Sequence, residues 1–391
     1  MDLELSEEES ELRDNVRAVL AGICPPAVVR AVFEGKGDVA PVWAKMVELS
    51  WPALAIDEEH GGLGLGFVEL GLVAEELGRA VAPGPFLATA TQFAPAVREV
   101  GAGSPLAADL LGRVAAGQVT GTVALAEAGR WEPAAVAATA TETDVGWALT
   151  GAKAAVLDAA EADEVLIVAR AAGTAGPDGL GAFVVSGGDL AVTPRTVVDP
   201  TMPLADVVLD GVVVPPERVL AAPGAGDARV AEALERASQE ATVALALVAA
   251  GACRAIFERT VEYAKVREQY GRPIGSFQAL KHRMADMFLA VERATALCYF
   301  AALAIAEDDP RRAEATAMAK AAAGECQRLV VRDGLQLHGG IGMTWENDLH
   351  FLLKRALAAG ALYGDDVHHR ARLAHTLGLV ARDDELEEAR A

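Results

Sequence analysis

An α+β protein in three consecutive parts is what the sequence predicts: an N-terminal helical domain (1–118), a middle β domain (119–222) and a C-terminal four-helix bundle (223–391). Three observations predict it. Short β-branched or apolar runs separated by Gly, Asp and Pro turns crowd into 120–220. After Asp227 the chain is Ala-rich, with apolar residues at helical spacing over four long stretches. Between two of these stretches, Tyr263 to Met287 reads as a helix end, a rigid turn broken by Gly271, Pro273 and Gly275, and a new helix.

Taken in order, Ser6-Glu7-Glu8-Glu9 is a capping box at the start of a helix over about Glu7 to Leu20. A second helical element near Pro41 to Leu49 leads to a Gly-rich turn, Gly61-Gly62-Leu63-Gly64, and a helix from Phe67 to Leu77. That turn lacks the preceding buried strand and full spacing of a dinucleotide fingerprint, so it reads as a connection. Strands are expected at Thr122–Ala126, Trp147–Thr150, Glu164–Ala169, Gly181–Val185, Leu190–Pro194 and Asp206–Val214, with Pro215-Pro216 at the exit. Helices follow over Asp227–Lys265, Ser276–Glu307, Arg311–His338 and Leu349–Leu377, with Ser276 as the N-cap of the second. Four such helices cannot bury their apolar stripes singly, which predicts a bundle. The acidic tail Asp383–Glu388 is expected to be solvated.

The 391 residues are 52% hydrophobic, enough for a large core or subunit interface, and the net charge of −22 excludes a nucleic-acid surface or an anionic membrane as partner. No apolar run reaches the roughly 20 residues a membrane helix needs, and the acidic N-terminus is unlike a secretory signal, so a cytoplasmic protein is expected. Cys24, Cys253, Cys298 and Cys326 form no C-x-x-C pair and predict buried free thiols.

Two motifs carry chemistry. Arg267, Tyr270, Gly271, Ile274 and Gln278 fit R-x-x-[FY]-G-x-x-[IL]-x-x-x-Q, and Gln336-Leu337-His338-Gly339-Gly340-Ile341-Gly342 fits Q-x-x-G-G-x-G. Together and in this order they resemble the flavin-binding segments of acyl-CoA dehydrogenases. The resemblance implies FAD as cofactor, an acyl-CoA thioester as substrate, a homo- or hetero-tetramer and an electron acceptor such as an electron-transfer flavoprotein. It implies that Arg267 meets the FAD diphosphate, that Tyr270 and Gln278, with Gln269 in the same turn, lie at the adenosine end, and that Gln336, Gly339 and Gly340 reach the diphosphate from a neighbouring subunit. Leu125 and Ala126 stand on the strand that meets the isoalloxazine. The family's T-E-P-G-A-G-S-D is replaced by Ala126-Glu127-Ala128-Gly129-Arg130-Trp131-Glu132-Pro133, and Ala155 stands in place of its tryptophan.

The resemblance also locates the catalytic base, and there the sequence departs from it. At the usual glutamate position, 24 residues after Gly339, stands Tyr363; at the alternative position, 26 residues before Arg267, stands Ala241. A phenol is a poor proton acceptor at neutral pH. Glu240 and Asp365 are the nearest carboxylates. Asp365-Asp366-Val367-His368-His369 does not read as a chelate, because adjacent helical residues face different ways; His338 reads as a loop histidine. Three functions follow: a dehydrogenase, self-sufficient or completed by a paralogous partner that brings the base; a flavin monooxygenase or oxidase; or a flavin-free structural subunit. Thr344-Trp345-Glu346-Asn347-Asp348-Leu349-His350 is similar to wording in members that act as paired subunits on steroid-derived acyl-CoA esters.

Overall fold

A computed structural model describes residues 5–224 and 226–380. The expected order of helices, strands and helices is observed. The N-terminal part comprises α1 (Glu7–Ile23), α2 (Pro26–Phe33), α3 (Ala40–Glu48), α4 (Phe67–Ala80), the short α5 (Phe86–Ala88), a π-turn (Thr89–Phe93), α6 (Ala94–Val100) and α7 (Pro105–Ala115). The capping box forms as the sequence dictates: Glu9 N–H donates to Ser6 Oγ (3.1 Å), and Ser6 N–H donates to Glu9 Oε2 (2.6 Å).

The middle part is one mixed sheet of β1 (Gly121–Ala124), β2 (Thr139–Thr143), β3 (Gly146–Leu157), β4 (Glu164–Ala171), β5 (Leu180–Ser186), β6 (Ala191–Pro194), β7 (Leu204–Val214) and β8 (Val219–Ala221). Its order is β6-β7-β3-β2-β4-β5-β8, with β1 parallel to β4. Side chains alternate across it: Leu166, Val168, Ala182 and Val184 pack with α6, α7 and the first turns of α8 (Arg229–Val266), whereas Val165, Ile167, Phe183 and Val185 join a separate cluster on the other face. Strands β2 and β8 were not expected from the sequence, being short and half exposed.

The C-terminal part is α8, the paired strands β9 (Glu268–Gln269) and β10 (Arg272–Pro273), then α9 (Gln278–Ala306), α10 (Arg312–His338), α11 (Leu349–Ala361) and α12 (Asp366–Thr376). Helix α8 contains an 18-residue window apolar enough to cross a membrane, and α9 another, which corrects the expectation that no run is long enough. In α8, 89% of that window is buried within the protein, and its apolar character is that of a central core helix. It meets α4 closely: a Cβ at Gly78 would lie 2.1 Å from Val248 O, and one at Gly251 2.0 Å from Glu75 O, so only glycine fits either place.

Three further expectations are corrected. The helix over Leu349–Leu377 breaks between α11 and α12, where Tyr363 (φ 57°) and Gly364 (φ 89°) are left-handed, and Tyr363 therefore sits in a loop. Ser276 does not cap α9; its hydroxyl donates to Pro273 O at 2.7 Å. The expected corner is a miniature hairpin in which Tyr270 (φ 53°) and Gly271 (φ 74°) form a two-residue turn with both φ values positive. All four cysteines are buried and free. The acidic tail lies outside the described residues.

Candidate functional site

The hairpin and the end of α10 come together in a cleft of about 750 Å³. Arg267, Gln269 and Tyr270 line it from one side, and Gln336, Gly339 and Gly340 from the other. Gln278 is exposed between the lining residues Phe277 and Ala279 but is not itself in the wall. Both motifs thus belong to one surface of one chain. Within a single chain Gln336, Gly339 and Gly340 stand on the same cleft as Arg267.

The donor chemistry of the cleft suits a diphosphate. Arg267 ends α8 and is exposed, and among the described residues its guanidinium makes no ion pair and no hydrogen bond. At Gly339 and Gly340 a Cβ would meet nothing within 4 Å, so their backbone is open to close approach. The sequence reading missed the aromatic wall. Tyr263 stacks on His338 (centroids 4.6 Å apart, 16° between planes), and Phe277 meets Tyr270 edge-on at 6.1 Å. His338 is the last residue of α10 and not a loop residue; its Nδ1 lies 2.8 Å from Gly334 O, and burial lowers its pKa.

A second locus lies where the β sheet meets the α11–α12 loop. Leu125 and Ala126 follow β1 and are buried, with Ala126 O accepting from Ala154 N–H at 2.9 Å. The next residues turn tightly: Glu127 and Arg130 exchange backbone hydrogen bonds of 3.1 and 2.9 Å across Ala128 (φ 50°) and Gly129 (φ 78°). Glu127 fastens the loop from within. Its carboxylate accepts from Lys153 Nζ (2.5 Å) and from the amides of Ala137 (2.7 Å) and Ala138 (3.1 Å). Burial lowers the Lys153 pKa to about 8, against the opposing pull of Glu127.

This turn delivers Trp131 onto Tyr363, with ring centroids 4.7 Å apart and planes inclined by 26°. Beneath the stack, Tyr363 OH donates to Gln92 Oε1 (3.3 Å), and Gln92 belongs to the π-turn, a distortion often found at functional sites. The Gln92 Nε2 is buried without a partner among the described residues. His369 Nε2 holds the Tyr363 carbonyl at 2.8 Å. Tyr363 is 6% exposed, and burial pushes its phenol well above the ordinary range, the wrong direction for a proton acceptor. Replacement of the family's small loop residues by Trp131 was visible in the sequence; that its ring lands on Tyr363 was not.

Neither carboxylate candidate joins this locus. Glu240 is 3% exposed and ion-paired to Arg98 (2.5 Å) with Arg312 at 3.9 Å; burial raises its pKa against the pull of Arg98. It is a structural pair between α6, α8 and α10. Asp365 is exposed and caps α12, accepting from His368 N–H at 2.9 Å. Ala241 is buried in the same apolar cluster as Tyr363. Asp366 pairs with Arg328 and Arg370 while His369 turns to the Tyr363 carbonyl, so this run is divided among separate tasks.

Comparison with known proteins bears on both loci. The family model described as "Acyl-CoA dehydrogenase, N-terminal domain" matches residues 6–118, and "Acyl-CoA dehydrogenase, C-terminal domain" matches 232–378. The "Acyl-CoA dehydrogenase IpdE2" of Mycobacterium tuberculosis is 31% identical over 358 residues, covering 91% of this chain and 93% of its own length. Among solved structures, the ChsE4–ChsE5 complex of M. tuberculosis matches with a TM-score of 0.85 at 27% identity, over 98% of this chain and all of the matched chain. A Tcur3481–Tcur3483 steroid ACAD variant matches with a TM-score of 0.82 at 31% identity, over 95% of this chain and 98% of that one.

Proposed function

The chain belongs to the acyl-CoA dehydrogenase family, and we propose that it is the subunit of an FAD-dependent acyl-CoA dehydrogenase whose proton-accepting carboxylate is carried by a second, paralogous chain. The family's reaction is α,β-dehydrogenation of an acyl-CoA thioester. FAD bound through Arg267 and the Gly339–Gly340 backbone would supply the hydride acceptor for the β carbon, and a carboxylate would supply the proton acceptor for the α carbon.

The single observation that carries the proposal is the contrast between the two loci. The cleft at Arg267 is open and rich in donors, which supports its holding the diphosphate and adenosine end of FAD through Arg267, Gln269, Tyr270, Gln336 and the Gly339–Gly340 backbone. At the residue where the resemblance expects the base, Tyr363 is stacked under Trp131, which supports a site without its own carboxylate. Such a chain contributes half of a cofactor site and leaves proton transfer to its partner. The matched structures, the ChsE4–ChsE5 complex and a Tcur3481–Tcur3483 steroid ACAD variant, each pair two proteins, which supports a hetero-oligomer, and the second supports a steroid-type acyl-CoA as substrate.

The test is anaerobic bleaching of the flavin by a panel of acyl-CoA esters, for the chain alone and co-purified with a paralogue, alongside native mass and FAD content. The chain alone should bleach slowly or not at all, and the pair quickly. Tyr363→Glu combined with Trp131→Ala should restore activity to the isolated chain, by about 10² to 10⁴ for a positioned base. Fast bleaching by the isolated wild type, abolished in Glu240→Ala, would overturn the proposal.

A further inference from the structure

Away from both loci, a cavity of about 520 Å³ opens at the seam between the 37–43 segment, the 83–85 loop and the sheet loops at 158–161 and 200–203. Its wall holds Asp38, Asp158 and Glu161, the indole of Trp43 and prolines at 83, 85, 200 and 203, with no cationic side chain among the described residues. Asp38 and Glu161 are exposed, but Asp158 is only 8% exposed. Among the described residues, no hydrogen bond or ion pair involves its carboxylate. Its oxygens are not among the fully buried unpartnered polar atoms, so they open onto the cavity, where solvent or a ligand can meet them.

We propose that this cavity is a binding site for an organic monocation, an alkylammonium or guanidinium group, which seats against Asp158 with its hydrocarbon stem along Trp43 and the prolines. The choice of cation follows from the wall. No three metal-capable side chains converge among the described residues, so a small divalent ion has no cage here. A carboxylate beside an indole suits instead a cation that is part of a larger apolar body, through charge and cation–π attraction together. The volume lies within the range of small-molecule sites. The site shares no lining residue with the Arg267 cleft or the Trp131–Tyr363 stack, so it stands or falls apart from the function proposed above.

Binding should be coupled to a proton. Burial raises the Asp158 pKa to about 8, with Glu161 pushing the same way and Arg355, engaged with Asp199 and Thr201 behind the wall, opposing. Asp38 adds negative charge from the facing loop, and α3 contributes Trp43 but no titratable group. Near neutrality the empty site therefore carries a carboxylic acid, and an arriving cation displaces its proton. Affinity should rise about tenfold per pH unit up to about pH 8 and level off above it.

Isothermal calorimetry of the full chain with n-butylammonium, n-butylguanidinium and N-acetyl-lysine methylamide, in buffers of differing ionisation enthalpy, tests this. Saturable binding with release of close to one proton at about pH 6.5 is expected. Tighter binding of the free amine would identify a metabolite-type ligand; tighter binding of the lysine amide would identify a basic side chain of a partner protein. Asp158→Asn should weaken binding at least about tenfold and abolish both proton release and pH dependence, without lowering the melting temperature, because it removes an unpartnered buried acid. Absence of binding by all three probes, equal binding by n-butanol, unchanged affinity in Asp158→Asn, or binding without proton release in the wild type would each overturn the proposal.

Discussion

Arg355→Met should destabilise the protein by about 3 kcal/mol. The guanidinium is fully buried and its hydrogen bonds gather all three parts of the chain: Nε to Asp199 Oδ2 (2.7 Å), Nη2 to Thr201 Oγ1 (2.5 Å), Nη2 to Ala82 O (3.1 Å), and longer contacts from Nη1 to Leu77 O and from Nη2 to Thr201 O, both 3.4 Å. Asp199 is 0% exposed, so methionine leaves a carboxylate with no cation in the core. Breaking a buried pair from one side costs about 3–5 kcal/mol. Asp199 keeps two donors, the amide and hydroxyl of Thr201, which places the expected loss near the lower bound, about 3 kcal/mol. Asp199→Asn should cost less, about 1.5–3 kcal/mol, because Arg355 keeps its carbonyl acceptors and loses one charged hydrogen bond. The double variant Arg355→Met/Asp199→Asn should be markedly more stable than the sum of the singles predicts, since neither charge is then stranded. Urea unfolding of the four proteins at one protein concentration measures the cycle. Because α11 runs directly into the Tyr363 loop, the single variant should also loosen the Trp131–Tyr363 stack and raise tryptophan quenching by acrylamide. A loss below about 1 kcal/mol for Arg355→Met, or strict additivity in the double variant, would refute the claim that this pair fastens the three parts together.

Two other outcomes follow. Arg267→Ala should weaken FAD retention by about 1.5–3 kcal/mol, roughly 10- to 150-fold, measured by flavin release on dilution, with Arg267→Lys intermediate because charge survives but the fork does not; unchanged retention would remove Arg267 from the cofactor site. Burial holds the His369 pKa down at about 3 against an ordinary 6.5, so the unfolded chain takes up a proton that the folded one refuses, and the stability tied to His369 is complete above about pH 6.5 and declines as pH falls towards 3. His369→Gln should lose this part of the acid sensitivity in denaturant midpoints between those limits; an identical pH profile would refute it.

What the sequence determined by itself is what neighbouring residues settle among themselves. The capping box at Ser6 and Glu9 is three residues wide, the period-2 alternation of β4 and β5 needs only a strand with two buried faces, and the breaks at Gly271 and Pro273 act through backbone dihedrals alone. The two motifs were legible for the same reason, and their residues line one cleft apart from Gly271, Gln278 and Gly342. Tertiary structure decided everything that depends on where distant segments land. Trp131 and Tyr363 are 232 positions apart and carry no mutual pattern, yet their rings stack. Glu240 looked available until the fold set Arg98 and Arg312 against it, and the expected long helix after Leu349 stopped at Tyr363 because the loop, held by His369, turns the chain left-handed. Asp158 reads as an ordinary turn residue; only the closing of α3 and the 200–203 loop over it makes a buried acid facing a cavity. Local preference selects an element, but which side chains lose water together is fixed by packing between elements, and that is where this chain's chemistry was decided.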